Sequence, residues 1–149
     1  MSTTRSAKRK KLKTLRNSTP LTLLGRSEAR LPASPDQARL ETFPSPASRP
    51  YTIRFETADF TSLCPVTGQM DFAQIVIEYV PALRCVESKS LKFYLASFRN
   101  ERAFNEAVTN RILDDCVAAC APRSAVVTAE FSARGGIALT VRAEYRKGK

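Results

Sequence analysis

The order of periodic segments after residue 50 predicts an α+β domain, an antiparallel sheet with two helices on one face. Three observations carry this. Two apolar–polar alternating runs open the region, two helix-period runs follow, and two further alternating runs close it. The order is therefore β-β-α-α-β-β, with Pro81 and Pro122 as stops within it.

Tyr51-Thr52-Ile53-Arg54-Phe55-Glu56 alternates as a half-buried strand. Residues 61–71 contain Pro65 and Gly68 as breakers and read as a loop. Residues 72–80 are rich in β-branched and aromatic side chains, with Ile75, Ile77 and Tyr79 on one side and Val76 on the other. Residues 90–99 place Leu91, Tyr94, Leu95 and Phe98 at helical spacing. After a break near Asn100, a second helix runs over about 103–121, with Phe104, Val108, Ile112 and Val117 as its buried side. Residues 124–131 and 137–145 alternate as two more strands, joined through Arg134-Gly135-Gly136. Such a sheet leaves its edges open, so side-by-side assembly of copies into a ring is expected.

The chain of 149 residues has a formal charge of +10, but that charge is uneven. Residues 1–50 hold 11 Lys/Arg against 3 Asp/Glu, whereas residues 51–149 hold 13 against 11. The basic character belongs to an arm over residues 1–20, where clustered like charges repel and stay solvated, and the folded part is nearly balanced. The arm suits weak contact with nucleic acid or an anionic surface, or serves as a solubilising tail. Residues 20–50 carry six of the nine prolines and read as an extended linker or a strap. The domain organisation is thus an arm and linker over 1–50 and one folded domain over 51–149.

No apolar run has the length of a signal peptide core or a membrane span, so no membrane association is expected. Four cysteines without a secreted-framework spacing point to a reducing, cytoplasmic setting. The chain has no histidine, and Cys116 and Cys120, four apart on a predicted helix, lack two further ligands, so no metal site is expected.

Two stretches carry chemistry. Glu87-Ser88-Lys89-Ser90-Leu91-Lys92-Phe93-Tyr94 lies at a predicted helix start, where free N–H groups and the dipole suit an anion. Lys89 and Lys92 are three apart on one face, fit to hold phosphate; equally, the stretch reads as a capped, solvated helix start. Phe60-Thr61-Ser62-Leu63-Cys64-Pro65-Val66-Thr67-Gly68-Gln69-Met70-Asp71 puts a cysteine in a turn seven positions before an aspartate. A loop cysteine exposes its sulfur, and neighbouring N–H groups or cations favour thiolate, although most cysteines are small core hydrophobes.

Taken together, these segments, with Ser97-Phe98-Arg99-Asn100 and Arg134-Gly135-Gly136, resemble the NADPH-dependent 7-cyano-7-deazaguanine reductases, the nitrile reductases of queuosine biosynthesis. The resemblance covers residues 51–145 in the family's order and implies a tunnelling fold assembled as a ring-shaped homo-oligomer, with sites between subunits. It implies that Cys64 attacks the nitrile carbon to give a thioimide and that Asp71 supplies the proton. Glu87–Tyr94 matches the family's NADPH motif, with Lys89, Ser90 and Lys92 toward the cofactor and Glu87 and Ser88 toward the substrate. Glu106 matches the glutamate that anchors the deazaguanine ring, Phe104 lines the same pocket, and Arg134 lies near the cofactor. The chain departs from the family at Asn105, where a histidine is usual, and at Val108, where a cysteine is often found.

Two other readings differ in chemistry. An amidine-forming homologue would keep the thioimide and add ammonia, but such relatives are expected to lack the NADPH motif that is whole in this chain. A ring inactive in reduction would use its arm to hold nucleic acid, and against it stand Cys64, Asp71 and Glu106 at matching spacings.

Overall fold

The computed structural model describes residues 20–25 and 30–148. The basic cluster assigned to an arm lies outside the described residues. The main sheet has four antiparallel strands in the order β2-β3-β5-β6: β2 Ile53–Leu63, β3 Met70–Val80, β5 Ser124–Arg134 and β6 Ile137–Arg146. Helices α1 (Ser88–Ala96) and α2 (Asn105–Cys120) cover one face, α1 continuing into a 3-10 turn over Ser97–Asn100. The α+β class and the β-β-α-α-β-β order of the main elements are as the sequence predicts.

The core forms where the inward positions of the sheet meet the helices. Ile75, Ile77 and Tyr79 of β3 and Ala125, Val127, Ala129 and Phe131 of β5 are buried against Leu91, Tyr94, Val108, Ile112 and Cys116. Phe98 lies between Phe60 and Tyr94, with ring centroids 5.5 and 5.3 Å away, tilted against the first and edge-on to the second. Offset and edge-on pairs at this distance stabilise beyond the area they bury. Helix α2 stops where Ala121 takes a left-handed conformation (φ 43°) and its N–H returns to the Val117 carbonyl, with Pro122 next.

Four departures from the sequence reading bear on the site. First, β2 runs on to Leu63, and the expected loop over 61–71 shrinks to a turn between Cys64 and Gln69. The alternation is broken by a bulge between Thr57 and Phe60, where Ala58 and Asp59 both face solvent. The bulge moves the inward set from Ile53, Phe55 and Thr57 to Phe60 and Ser62. A reading that demands unbroken period two ends the strand too early.

Second, Phe104 is 62% exposed, not on the buried side of α2. It occupies the N-cap position with extended backbone (φ −64°, ψ 147°), so its side chain escapes the helical face that starts one residue later. Third, Val117, also assigned to that buried side, is only partly buried at the edge of the core, and Leu113 and Cys120 take the innermost places beside Ile112 and Cys116.

Fourth, the Pro-rich stretch carries a 3-10 turn over Pro35–Gln37 and a strand β1 (Thr42–Pro44) paired with β4 (Arg84–Val86) in a second, two-stranded sheet. The stretch is fastened to both helices. Arg99 donates to the Pro32 carbonyl at 2.8 Å, Arg111 pairs with Asp36, and the Glu41 N–H donates to Ser90 Oγ at 2.9 Å.

Candidate active site

The centre of the site is the turn that joins β2 to β3. The Gly68 N–H donates to the Cys64 carbonyl at 2.9 Å, and the Cys64 N–H donates to the Gln69 carbonyl at 2.8 Å. Gly68 holds φ at 70°, and a Cβ there would lie 3.0 Å from Arg102 Nη2. Glycine is required for the left-handed backbone, and the Arg102 guanidinium lies close against it. The turn leaves Cys64 half-buried, whereas Cys85, Cys116 and Cys120 are buried.

Hydrogen bonds from the Thr67 hydroxyl, and then from the Thr67 and Val66 backbone N–H groups, bring the Cys64 thiol down to about 7. Desolvation opposes them, and the positive charge of Arg134 adds a smaller pull in the same direction. Successive N–H groups aimed at one atom make a turn into an anion cradle, and a thiolate is the anion held. Burial acts the other way on the core thiols, pushing Cys116 up to about 12 and Cys120 up to about 11.

The cysteines should therefore separate in an alkylation experiment. Iodoacetamide is expected to label Cys64 alone in the folded protein, with a half-maximal rate near pH 7. The lowered value means that thiolate, and so labelling, is present above this midpoint and is lost as pH falls through it. Thr67→Val should move the midpoint up toward the ordinary thiol value, and peptide mass mapping across pH would reveal both results.

Two further segments converge on the turn. Leu63 donates its N–H to the Glu101 carbonyl at 2.9 Å and accepts from the Ala103 N–H at 3.2 Å. This short parallel contact brings the first turn of α2 beside the residue that precedes Cys64. There Glu106 is exposed at a helix N-terminus, where the dipole favours a carboxylate. Asn105 next to it is half-buried, and its Oδ1 is fully buried without a partner.

From the other side comes the β5–β6 hairpin, closed by Gly135 and Gly136 at φ 56° and 80°. A register shift between Phe131 and Arg134 re-aims the strand end. Arg134 Nε then pairs with Asp71 Oδ1 at 2.9 Å, and Nη2 donates to the Met70 carbonyl at 2.6 Å. Asp71 is buried, 6% exposed, one strand across from Ser62.

The Glu87–Tyr94 stretch does not open its helix terminus to an outside anion. Glu87 accepts the N–H groups of Lys89 and Ser90, both at 2.8 Å, so the chain's own carboxylate occupies the first turn. Ser90, expected among the cofactor contacts, is fully buried; its hydroxyl donates to the Glu87 carbonyl at 2.8 Å and accepts from Glu41. It positions α1 and the strap. Ser88 and Lys92 are exposed and line a cavity of about 360 Å³ between α1 and the bulged part of β2, with Thr57, Asp59, Phe60 and Leu91. Lys89 is half-buried one turn before Phe93.

The structure thus brings Cys64, Asp71 and Arg134 together and sets Phe104, Asn105 and Glu106 beside them. The lysines stand on α1. Sequence reasoning missed Thr67, Arg102 and Ser62; the bulge at Ala58 and Asp59 breaks the alternation and hides the inward turn of the last of them.

A family model described as QueF-like protein matches residues 70–149. The NADPH-dependent 7-cyano-7-deazaguanine reductase of Nitrosococcus oceani is 56% identical over 118 residues, 78% of this chain and 91% of that protein. The protein of the same name from Syntrophus aciditrophicus is 55% identical over 128 residues, 85% and 87% of the two chains. Among solved structures, the archaeosine synthase QueF-Like in its apo form matches with a TM-score of 0.62 at 25% identity, over 68% of this chain and 99% of that one. With more than half of its length covered and over half of the aligned residues identical, the chain belongs to the QueF-like family, alongside the NADPH-dependent 7-cyano-7-deazaguanine reductases.

Proposed function

We propose that this chain reduces the nitrile of 7-cyano-7-deazaguanine to the primary amine with NADPH, a step toward queuosine in tRNA. The observation that carries the reading is the Cys64 turn, a thiol brought down to about 7 beside the buried Asp71–Arg134 pair. A nitrile carbon is a weak electrophile, so it needs a thiolate and a proton for its nitrogen at the same moment. As Cys64 ionises its proton passes to Asp71; the thiolate then attacks, the C–S bond forms as one π bond of the nitrile breaks, and the nitrogen takes that proton from Asp71. The product is a neutral thioimide and the Asp71 carboxylate.

Glu106 accepts two N–H bonds from the guanine-like edge, and the exposed Phe104 covers the ring. Asn105 donates and accepts hydrogen bonds without titrating. Two NADPH molecules, bound in turn, would each supply one hydride. Lys92 and Lys89 suit the cofactor's phosphates by side chain, because Glu87 already holds the N–H groups of the helix start, and the exposed Ser88 stays on the substrate side.

The site is completed by a neighbouring copy in a ring of tunnelling-fold subunits, in the cytoplasm. Val66, Met70, Phe72, Phe104 and Ile137 are large, apolar and exposed on the segments that form the site, which supports a covered surface there. Among the described residues, the outer edges of β2 and β6 have no partner strand in the main sheet.

Purified protein mixed with 7-cyano-7-deazaguanine and NADPH tests this. Oxidation of two NADPH per amine formed is the expected result. A stable mass adduct on Cys64 that turns over with ammonia but not with NADPH would instead establish the amidine-forming chemistry.

A further inference from the structure

Ser62 is fully buried on the helix-facing side of β2, and its Oγ has no hydrogen-bond partner. Its cross-strand partner in the ladder is Asp71. Directly paired residues of an antiparallel ladder share a face with Cβ atoms about 5 Å apart, so a serine hydroxyl and an aspartate carboxyl in such a pair lie within mutual reach. The carboxylate is engaged elsewhere: Asp71 Oδ1 is paired with Arg134 Nε at 2.9 Å. It therefore has two available holders, one occupied and one idle.

The two holders differ in freedom. Ser62 sits in a packed ladder between Thr61 and Leu63, both of which are paired to β3. Arg134 is 36% exposed in its side chain and stands at the mouth of a two-glycine hairpin. The guanidinium is the one that can leave. They differ in chemistry as well. A guanidinium only donates, whereas a hydroxyl both donates and accepts, so the hydroxyl can bond a carboxyl oxygen in either role.

We propose that Ser62 is a positioning residue for Asp71: when an anionic ligand group draws Arg134 away, the Asp71 carboxyl turns to the Ser62 hydroxyl and is presented to the reacting nitrogen from there. The unpartnered hydroxyl and the hairpin ion pair are then two halves of one device. The first completes the carboxyl's surroundings when the second opens. The role in the reaction rests on the reductase reading, but the contact between the two side chains does not.

A crystal structure of Arg134→Gln addresses the contact without any assay. An Asp71 oxygen within about 3 Å of Ser62 Oγ is expected. A carboxyl that still points to the hairpin, or a Ser62 hydroxyl bonded elsewhere, overturns the proposal. Kinetics address the role. Ser62→Ala should lower kcat about tenfold while both KM values stay within about twofold, the pattern of an interaction made on the way to the transition state. Its Cys64 alkylation midpoint should not move, and Ser62→Thr, which keeps the hydroxyl, should recover most of kcat. An unchanged kcat in Ser62→Ala, or a threonine variant no better than alanine, overturns the role. If the unaltered protein consumes no NADPH, the reductase reading fails, and the Arg134→Gln structure alone decides the contact.

Discussion

Replacing Cys64 by alanine is expected to abolish NADPH consumption in the presence of 7-cyano-7-deazaguanine, to below about one thousandth of the unaltered rate. The nitrile then has no nucleophile, because Cys85, Cys116 and Cys120 are buried in the fold. Burial pushes two of these, Cys116 and Cys120, well above the ordinary thiol range. The variant should show no mass adduct with the nitrile. Its fold should be intact, since the Cys64 side chain lies outside the packed core and the turn is held by backbone bonds to Gln69 and Gly68. A melting temperature within about 2 °C of the unaltered protein, with activity gone, separates chemistry from stability. Substantial turnover in Cys64→Ala would end the thioimide mechanism.

Asp71→Asn is the second large effect. The amide is nearly isosteric with the carboxyl but cannot deliver a proton, so kcat should fall by about 10²–10⁴, the usual worth of a positioned general acid. Cys64 should still react with iodoacetamide, because its thiolate is held first by the Thr67 hydroxyl and the N–H groups of the turn. The structural cost should be modest. Arg134 loses its charged partner yet is part-exposed and keeps the Met70 carbonyl at 2.6 Å. Parallel losses of alkylation and activity would mean that Asp71 holds the turn together rather than supplying a proton.

Both effects concern residues that the sequence singles out, and that is no accident of this chain. Cysteine, proline, glycine and aspartate at fixed spacing in one turn are local features, readable because a turn dictates its own geometry through Gly68 and the bonds that close it. The element order was legible for the same reason. Strand and helix periods of two and 3.6 are imprinted wherever one face is buried, as in β3 and α2.

Other features lay beyond sequence reading. The bulge at Ala58 and Asp59 hid the second half of β2, and with it the inward turn of Ser62. The strap's short strand depends on β4, more than 40 residues further along, so no local pattern announces it. The Ser90 hydroxyl is taken by the Glu41 N–H from a distant part of the chain, a contact that no local pattern announces.

By itself, then, the sequence determined the α+β class, the order of the main elements, and the identity of Cys64, Asp71 and Glu106 as the residues to test. Tertiary structure alone decided that Arg134 reaches Asp71, that the first turn of α2 is docked beside Cys64 through Leu63, and that Glu87 closes the helix start. Period and turn chemistry act over a few residues and leave their mark in composition. An ion pair between residues 63 positions apart, or a hydroxyl buried without a partner, exists only once separate strands have been brought into register.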